Sequence, residues 1–178
     1  MRAFLGLSPD PQTKLAIQAW RDKTLPAFNA PVPAANFHVT LAFLGQVTEK
    51  QLDSICSQIE QQDPFPEFKV NLDHVGYWSK PKAFWLGSKH TQAHHLNLAS
   101  QLQKIARQGG IFLSKQDYVA HLTLAQKCVT NPPTPLIDPQ FSWHNSEFHL
   151  FESVSSAHGV AYHIRHSWPL AKRFAWQK

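Results

Sequence analysis

The sequence lacks several features that mark common protein classes. It has only two cysteines, Cys56 and Cys128, in neither a CxxC motif nor a zinc-ligand spacing, which argues against a disulfide framework and a cysteine zinc site. No apolar run is long enough for a transmembrane helix. Residues 1–7 hold too short an apolar stretch for a secretory signal, so we expect a cytoplasmic protein with no membrane partner.

Two patterns typical of nucleotide-binding folds are also missing. The sequence has no glycine-rich phosphate loop and no strand–helix alternation that would give a parallel sheet. The formal net charge is only +5, with a pI of about 9.3 and no long block of like charge. This balance indicates a modest attraction for polyanions. It is equally typical of an ordinary basic surface, so charge alone leaves RNA binding open.

One short motif occurs twice. Residues 38–42 read HVTLA and residues 121–125 read HLTLA, with four of five positions identical. In each copy polar and apolar residues alternate, which is the period of a half-buried strand. The histidine and the threonine, two residues apart, therefore point to the same face. Two such strands side by side would place two imidazoles and two hydroxyls around one point, an arrangement suited to binding a phosphate.

The order of predicted elements indicates an α+β protein with a duplicated, bilobal fold. We expect two antiparallel sheets that line a central cleft, with the helices outside and an internal pseudo-twofold axis. The 178 residues are interpreted as one domain with two lobes, approximately 1–88 and 89–178, and we allow for strands exchanged between the lobes.

Three local patterns give more detailed predictions. Thr48 and Gln51 form a capping box that begins a helix. Residues 68–78 alternate as one long strand, and residues 79–82 form the turn of a hairpin. The clearest helix covers residues 94–107, where apolar residues recur on one face.

The doubled motif resembles that of the 2H phosphoesterase superfamily, and within it that of the bacterial RNA 2′,3′-cyclic phosphodiesterases, also called 2′-5′ RNA ligases. Residues 36–45 (NFHVTLAFLG) are similar to the first motif of that group, residues 83–87 (AFWLG) to its hairpin strand, and residues 148–155 to a late strand. The resemblance covers most of the chain. It implies a bilobal α+β fold, metal-independent hydrolysis of 2′,3′-cyclic phosphate ends without a cofactor, reversible 2′-5′ ligation as a further reaction, and catalysis by His38 and His121.

The expected chemistry divides two proton transfers between the two histidines. One imidazole begins neutral as general base, and the other begins protonated as general acid, which predicts a bell-shaped pH dependence bracketing neutrality. A near-symmetric repeat does not show which is which. The resemblance implies that His38 is the proton donor and His121 the proton acceptor. Thr40 and Thr123 are expected to bind the non-bridging phosphate oxygens.

Two positions depart from the pattern of that group. Ala120 stands where proline is usual, and Gln126 stands where arginine is frequent, with Lys127 next to it. Loss of a bidentate guanidinium should weaken contact with a phosphate or a base. Lys127 replaces the missing charge if the strand end, a bulge or simple strand parity turns it toward the cleft.

Phe43 and Gln126 occupy equivalent places, five residues after each histidine. In a regular strand both would face away from the imidazoles, so Phe43 is predicted in the core. If the strand ends or bulges there, the ring would stack on a base. We keep Phe43, Gln126 and Lys127 as candidate substrate-binding residues.

The remaining histidines and the tryptophans have weaker claims to function. His90 and His94 on a predicted helix, and His163 and His166 on a strand, lack a third ligand at matching spacing, so surface positions are favoured over a metal site. The tryptophans are expected in the core or at the cleft rim, with a base pocket lined by one of them as the alternative. They are Trp78, Trp85, Trp143, Trp168 and Trp176.

Two other functions fit the same residues. A non-catalytic protein that binds RNA ends would account for the basic pI and the missing arginine, but it has no reason to keep both histidine–threonine pairs. A two-histidine ribonuclease would release a cyclic phosphate as its product instead of consuming it. For the cyclic phosphodiesterase the expected substrate is an RNA end or a cyclic nucleotide, and we expect a monomer.

Overall fold

The computed structural model of the chain describes residues 1–172, so Trp176 lies outside the described residues. The helices in this range are α1 (Pro11–Thr24), α2 (Glu49–Glu60) and α3 (Ala93–Gln108), with a short 3₁₀ turn at Ala34–Asn36. The strands are β1 (Arg2–Leu7), β2 (Ala30–Pro31), β3 (Val39–Gln46), β4 (Phe68–Leu72), β5 (His74–Trp78), β6 (Ala83–Gly87), β7 (His121–Gln126), β8 (Phe141–Asn145), β9 (Glu147–Ser156) and β10 (Gly159–Pro169).

The strands form two four-stranded antiparallel sheets and a two-stranded one. The first sheet has the order β10-β9-β1-β3, the second has the order β2-β7-β6-β5, and β4 pairs with β8. The predicted α+β class with antiparallel sheets is confirmed, and the β4–β8 pair is an addition. Every sheet combines strands from both sides of residue 88, and the division into two lobes there stays a prediction.

Most of the local predictions are confirmed. The Thr48 hydroxyl accepts from Gln51 N–H, and the Gln51 side chain accepts from Thr48 N–H, which is the capping box at the start of α2. The hairpin is also confirmed, because β5 and β6 pair as antiparallel neighbours around the turn at 79–82. The helix predicted over 94–107 is α3, which buries Leu98, Leu102 and Ile105.

The single strand predicted over residues 68–78 is wrong. The chain breaks at Asp73 into β4, which pairs with β8, and β5, which belongs to the second sheet. Asp73 N–H donates to Gly87 O at 2.9 Å, and its carboxylate accepts from Lys89 N–H at 2.8 Å. These bonds fix the point at which the chain passes from one sheet to another.

The helices pack on the first sheet, on the β4–β8 pair and on each other. α3 packs on β3 and also contacts β4, and α2 packs on α3. α1 contacts β8 and buries Ile17 and Trp20. β3 is an edge strand of the first sheet, β7 is an inner strand of the second, and the two contact each other. The two copies of the motif therefore adjoin across the boundary between the sheets.

Candidate active site

The two motif histidines come from adjoining strands of different sheets. His38 directly precedes β3, and His121 is the first residue of β7. They lie near enough for the charge of His121 to lower the pKa of His38. The fold thus brings together the two imidazoles that the repeat singled out.

Both imidazole rings are held in the same way. His38 Nδ1 lies 2.7 Å from Asn36 O, and His121 Nδ1 lies 2.8 Å from Val119 O. A carbonyl oxygen only accepts hydrogen bonds, so Nδ1 carries the proton and donates it in each ring. In the neutral ring Nε2 then keeps its lone pair. Each imidazole is fixed by the backbone two residues before it and offers Nε2 for proton transfer.

The surroundings of the two rings differ. His38 packs against Phe4 at a centroid distance of 4.5 Å and meets the edge of Tyr162 at 4.9 Å. Trp78 contacts His121 in a T-shaped arrangement at 4.5 Å, and Trp85 lies 6.0 Å from it. The His38 hydrogen bond is partly buried, whereas that of His121 is exposed. His38 therefore has the more apolar environment.

This burial lowers the pKa of both histidines. Desolvation of the charged ring lowers the pKa of His38 to about 4, the Asn36 carbonyl opposes this, and the charges of His121 and Lys14 add to it. Desolvation also lowers the pKa of His121, against the raising effect of the Val119 carbonyl. These shifts favour neutral imidazoles at pH 7, and a bound phosphate anion would raise both pKa values again.

Two glycines allow Trp85 to lie close behind His121. A Cβ at Gly76 or at Gly87 would overlap with the Trp85 indole, so neither position accepts a larger residue without a shift of that ring. Trp85 in turn packs against Trp78 at 4.8 Å. The tryptophan pair forms one wall beside His121, so Trp78 is at the cleft rim, which was one of the predicted positions.

Two adjoining cavities lie at this wall. The larger has a volume of about 1020 Å³, and four of the candidate residues line it: His121, Thr123, Gln126 and Lys127. The smaller has a volume of about 330 Å³, and Thr40 and Phe43 line it. Trp78, Gln116 and His121 border both cavities.

Each motif strand carries a bulge one residue after its threonine. β1 pairs Gly6 with Thr40 and Leu5 with Ala42, which leaves Leu41 without a partner. β6 pairs Trp85 with Thr123 and Phe84 with Ala125, which leaves Leu124 without a partner. Because a bulge inserts one extra residue, side chains beyond it point to the face opposite the one that regular alternation predicts.

The bulges turn the fifth residue after each histidine toward the cavities. Phe43 is 48% exposed and lines the smaller cavity with Thr40, so the predicted core position of Phe43 is wrong. Gln126 lines the larger cavity with Thr123 for the same reason. Lys127 also lines it, because the strand ends at Gln126 and Lys127 takes a left-handed conformation with φ of 57°.

A side chain from a helix holds each bulge in place. Gln103 of α3 donates through Nε2 to Leu41 O at 3.1 Å, and Arg21 of α1 donates through Nη1 to Leu124 O at 2.9 Å. Arg21 is only 3% exposed and also donates to Val32 O at 2.7 Å. Sequence reasoning missed both residues, since a lone arginine or glutamine on a helix gives no local signal of burial.

Sequence reasoning also missed a buried pair between the two motif strands. The Tyr118 hydroxyl donates to Thr40 O at 3.0 Å, and His95 Nε2 of α3 lies 2.9 Å from the same hydroxyl oxygen. His95 is 1% exposed, and desolvation lowers its pKa to about 4. The pair joins α3 and the segment before β7 to the backbone of β3.

The described residues offer no alternative metal centre. In residues 1–172 no group of three histidine, cysteine or acidic side chains is placed to hold a metal ion. The prediction that His90 lies on a helix is wrong, because α3 begins at Ala93; His163 and His166 lie on β10 and are exposed. None of the helices within these residues is long and apolar enough to cross a membrane.

The chain is similar to a family of phosphoesterases. The family model described as LigT-like phosphoesterase matches residues 7–85. The RNA 2′,3′-cyclic phosphodiesterase of Escherichia coli is 32% identical over 96% of this chain and 97% of its own length. The protein of the same name from Thermotoga maritima is 27% identical over 71% of this chain and 70% of its own length.

Solved structures give the same result for the fold. A phosphoesterase crystal structure superposes with a TM-score of 0.86 at 28% identity, covering 95% of this chain and 97% of that one. Escherichia coli LigT in complex with 3′-AMP superposes with a TM-score of 0.83 at 30% identity over the same shares of both chains.

Proposed function

The chain belongs to the LigT-like phosphoesterases of the 2H superfamily, and on that basis we propose that it is an RNA 2′,3′-cyclic 3′-phosphodiesterase. Its substrate is an RNA 3′ end that carries a 2′,3′-cyclic phosphate, and its product carries a 2′-phosphate. The observation that carries the proposal is the matched pair of histidines, each held through Nδ1 by a backbone carbonyl so that Nε2 is available.

The reaction needs two proton transfers and no redox change. Water attacks phosphorus, the bond from phosphorus to the ribose O3′ breaks, and the phosphate remains on O2′. One imidazole Nε2 accepts the proton of the water, and the other imidazolium gives a proton to O3′. A 5′-hydroxyl RNA end in place of water would form a 2′-5′ linkage by the same transfers, which is the ligation that we propose as a further reaction.

We assign His38 as proton donor and His121 as proton acceptor, following the resemblance of the motifs. The depressed pKa of His38, about 4, means that this donor role depends on the substrate. The anionic phosphodiester favours the protonated imidazole next to it, so His38 gains its proton as substrate binds.

The other candidate residues bind the substrate in this proposal. Thr40 and Thr123 donate to the non-bridging oxygens, on which negative charge concentrates in the transition state. Phe43 offers an exposed ring at the smaller cavity for stacking on a base. Gln126 and Lys127 contact the substrate from the wall of the larger cavity.

The test is hydrolysis of an oligoribonucleotide that ends in a 2′,3′-cyclic phosphate, measured with EDTA present. We expect turnover to a 2′-phosphate end at a rate that EDTA does not change. Turnover only after a divalent metal is added would contradict the two-histidine mechanism.

The same assay separates the alternatives. Saturable binding without any turnover would point to a protein that only binds RNA ends. Formation of a cyclic phosphate from an internal bond would point to a ribonuclease. We further propose that the protein acts as a monomer in the cytoplasm, and sedimentation of the purified chain together with cell fractionation checks this.

A further inference from the structure

The larger cavity has a strongly basic wall next to the site. Lys80, Lys82 and Lys127 line it, while no aspartate or glutamate of the described residues does. All three lysines are exposed, and no hydrogen bond or ion pair within residues 1–172 involves their ammonium groups. This wall therefore has positive charge that no group of the described residues neutralises.

Two of these lysines have an unusual backbone. Lys82, with φ of 54°, and Lys127, with φ of 57°, are the non-glycine residues with left-handed conformations in residues 1–172. A residue with a Cβ adopts this region only at a cost, and such conformations concentrate at functional sites. Glycine or asparagine would satisfy the backbone more easily, so the turn geometry alone does not account for lysine at both positions.

A hydrogen bond joins the segments that carry the two left-handed residues. Cys128 N–H donates to Lys82 O at 2.9 Å, which ties the end of β7 to the turn between β5 and β6. The Tyr77 hydroxyl donates to Cys128 O at 2.7 Å and fixes the same junction. Lys82 and Lys127 thus lie at a braced junction between the turn and the end of β7, and they line the same cavity as His121 and Thr123.

We propose that Lys80, Lys82 and Lys127 form a second anion subsite, which binds the 5′-phosphate of the nucleotide whose cyclic phosphate is hydrolysed. The proposal rests on the proposed function and deepens it. A volume of about 1020 Å³ exceeds what a cyclic phosphate alone needs, and ammonium groups bind phosphate as point charges. The subsite makes the enzyme selective for an RNA end, which has this phosphate, over a cyclic nucleoside monophosphate, which lacks it.

The test compares two substrates that differ only at this position. They are adenosine 2′,3′-cyclic phosphate and the same compound with a 5′-phosphate. For the wild-type protein we expect KM to be about tenfold lower for the 5′-phosphorylated substrate, since two or three exposed charge pairs of modest strength combine there. This advantage should shrink as salt is added, because the lysines are exposed.

The variant that tests the subsite is Lys82→Gln combined with Lys127→Gln. Glutamine also carries a Cβ, so the substitution keeps the backbone strain and removes only the charge. The matched control is Lys50→Gln combined with Lys104→Gln, which removes the same charge from exposed positions on α2 and α3 outside the cavity. We expect the KM ratio to fall to about one in the test variant and to persist in the control.

The outcomes distinguish the subsite from the proposed function. Equal KM values for the two substrates in the wild type, or a ratio that survives in the test variant, would overturn the subsite. If neither substrate nor any RNA end is turned over, the proposed function fails. The subsite is then decided by calorimetric binding of 2′-AMP and adenosine 2′,5′-bisphosphate, where equal affinities overturn it and tighter binding of the bisphosphate supports it.

Discussion

The hydrogen bonds around Tyr118 predict how much one hydroxyl contributes to the stability of the site. The Thr40 carbonyl can only accept, so the Tyr118 hydroxyl donates to it at 3.0 Å. The hydroxyl oxygen is then available to accept from His95 Nε2–H at 2.9 Å. Tyr118→Phe removes both bonds at once and leaves a buried donor and an acceptor without their partner.

The magnitude follows from the burial of His95. Its side chain is 1% exposed, and desolvation lowers its pKa to about 4, so water does not replace the lost partner and protonation does not relieve it. An unsatisfied buried donor costs about 1–3 kcal/mol. We therefore expect Tyr118→Phe to lower the free energy of unfolding by about 2–3 kcal/mol.

A second substitution tests whether this cost comes from the orphaned donor. His95→Leu removes the Nε2–H, and replacing both partners of a buried hydrogen bond by apolar groups is much cheaper than replacing one. It also removes the stacking of His95 on Phe68, which has a centroid distance of 5.0 Å. We expect the double variant to recover about 1 kcal/mol or more relative to Tyr118→Phe alone.

Urea denaturation of the wild type, both single variants and the double variant gives the coupling energy. Tyr118 lies directly before Val119, whose carbonyl orients His121, so turnover should also fall in Tyr118→Phe, by roughly threefold to tenfold. If Tyr118→Phe costs less than about 0.5 kcal/mol, or if the two single effects simply add, the bond does not have the role assigned to it.

Further predictions concern the histidines and threonines. His38→Ala and His121→Ala should each lower kcat at least about a hundredfold, and the double variant should be little worse, because the pair acts as a unit; near-normal activity in either would contradict this. Thr40→Ala and Thr123→Ala should each cost about tenfold to a hundredfold in kcat, and a change only in KM would contradict the assigned role. If His38 and His121 are the acid and base, the profile of kcat/KM should be a bell with its maximum below about pH 6.5, since their lowered pKa values place the singly protonated pair there; a rate that rises steadily into alkali would refute it. His38 and His95 have folded pKa values of about 4, so as pH falls below 6.5 the unfolded chain binds protons at these histidines before the folded chain does. Urea denaturation should therefore show the free energy of unfolding falling between about pH 6.5 and 4, by as much as about 3 kcal/mol for each histidine. A constant free energy of unfolding over this range would be inconsistent with their burial.

The pH prediction changes what the sequence alone suggests. Two histidines with ordinary pKa values would give limbs on either side of neutrality. The apolar contacts of His38 with Phe4 and Tyr162 come from strands far along the chain, and no pattern in the sequence indicates them. The repeat thus predicted which two histidines the fold brings together, but their proton affinities depend on the folded environment.

Local signals predicted local structure well. The capping box of Thr48 and Gln51, the periodicity of α3 and the turn at 79–82 each depend on residues within one element or one hairpin. The break of the predicted long strand at Asp73 was missed, because its backbone and carboxylate partners, Gly87 and Lys89, lie at the end of β6 and just after it.

Strand parity shows most clearly why the site itself was only partly predictable. A regular period of two places Phe43 and Gln126 on the face opposite the imidazoles, and the bulge directly after the threonine in each motif strand reverses that assignment. Nothing in HVTLA or HLTLA indicates a bulge, because the hydrogen bonds that hold it come from outside the strand. Leu41 O in β3 accepts from Gln103, and Leu124 O in β7 accepts from Arg21. These two donors lie on different helices, yet each holds the residue that follows a motif threonine. Each copy of the motif therefore depends on a helix to direct the side chain five residues after its histidine, Phe43 or Gln126, toward a cavity. Gln103→Leu should accordingly release Phe43 from the smaller cavity without altering the larger one.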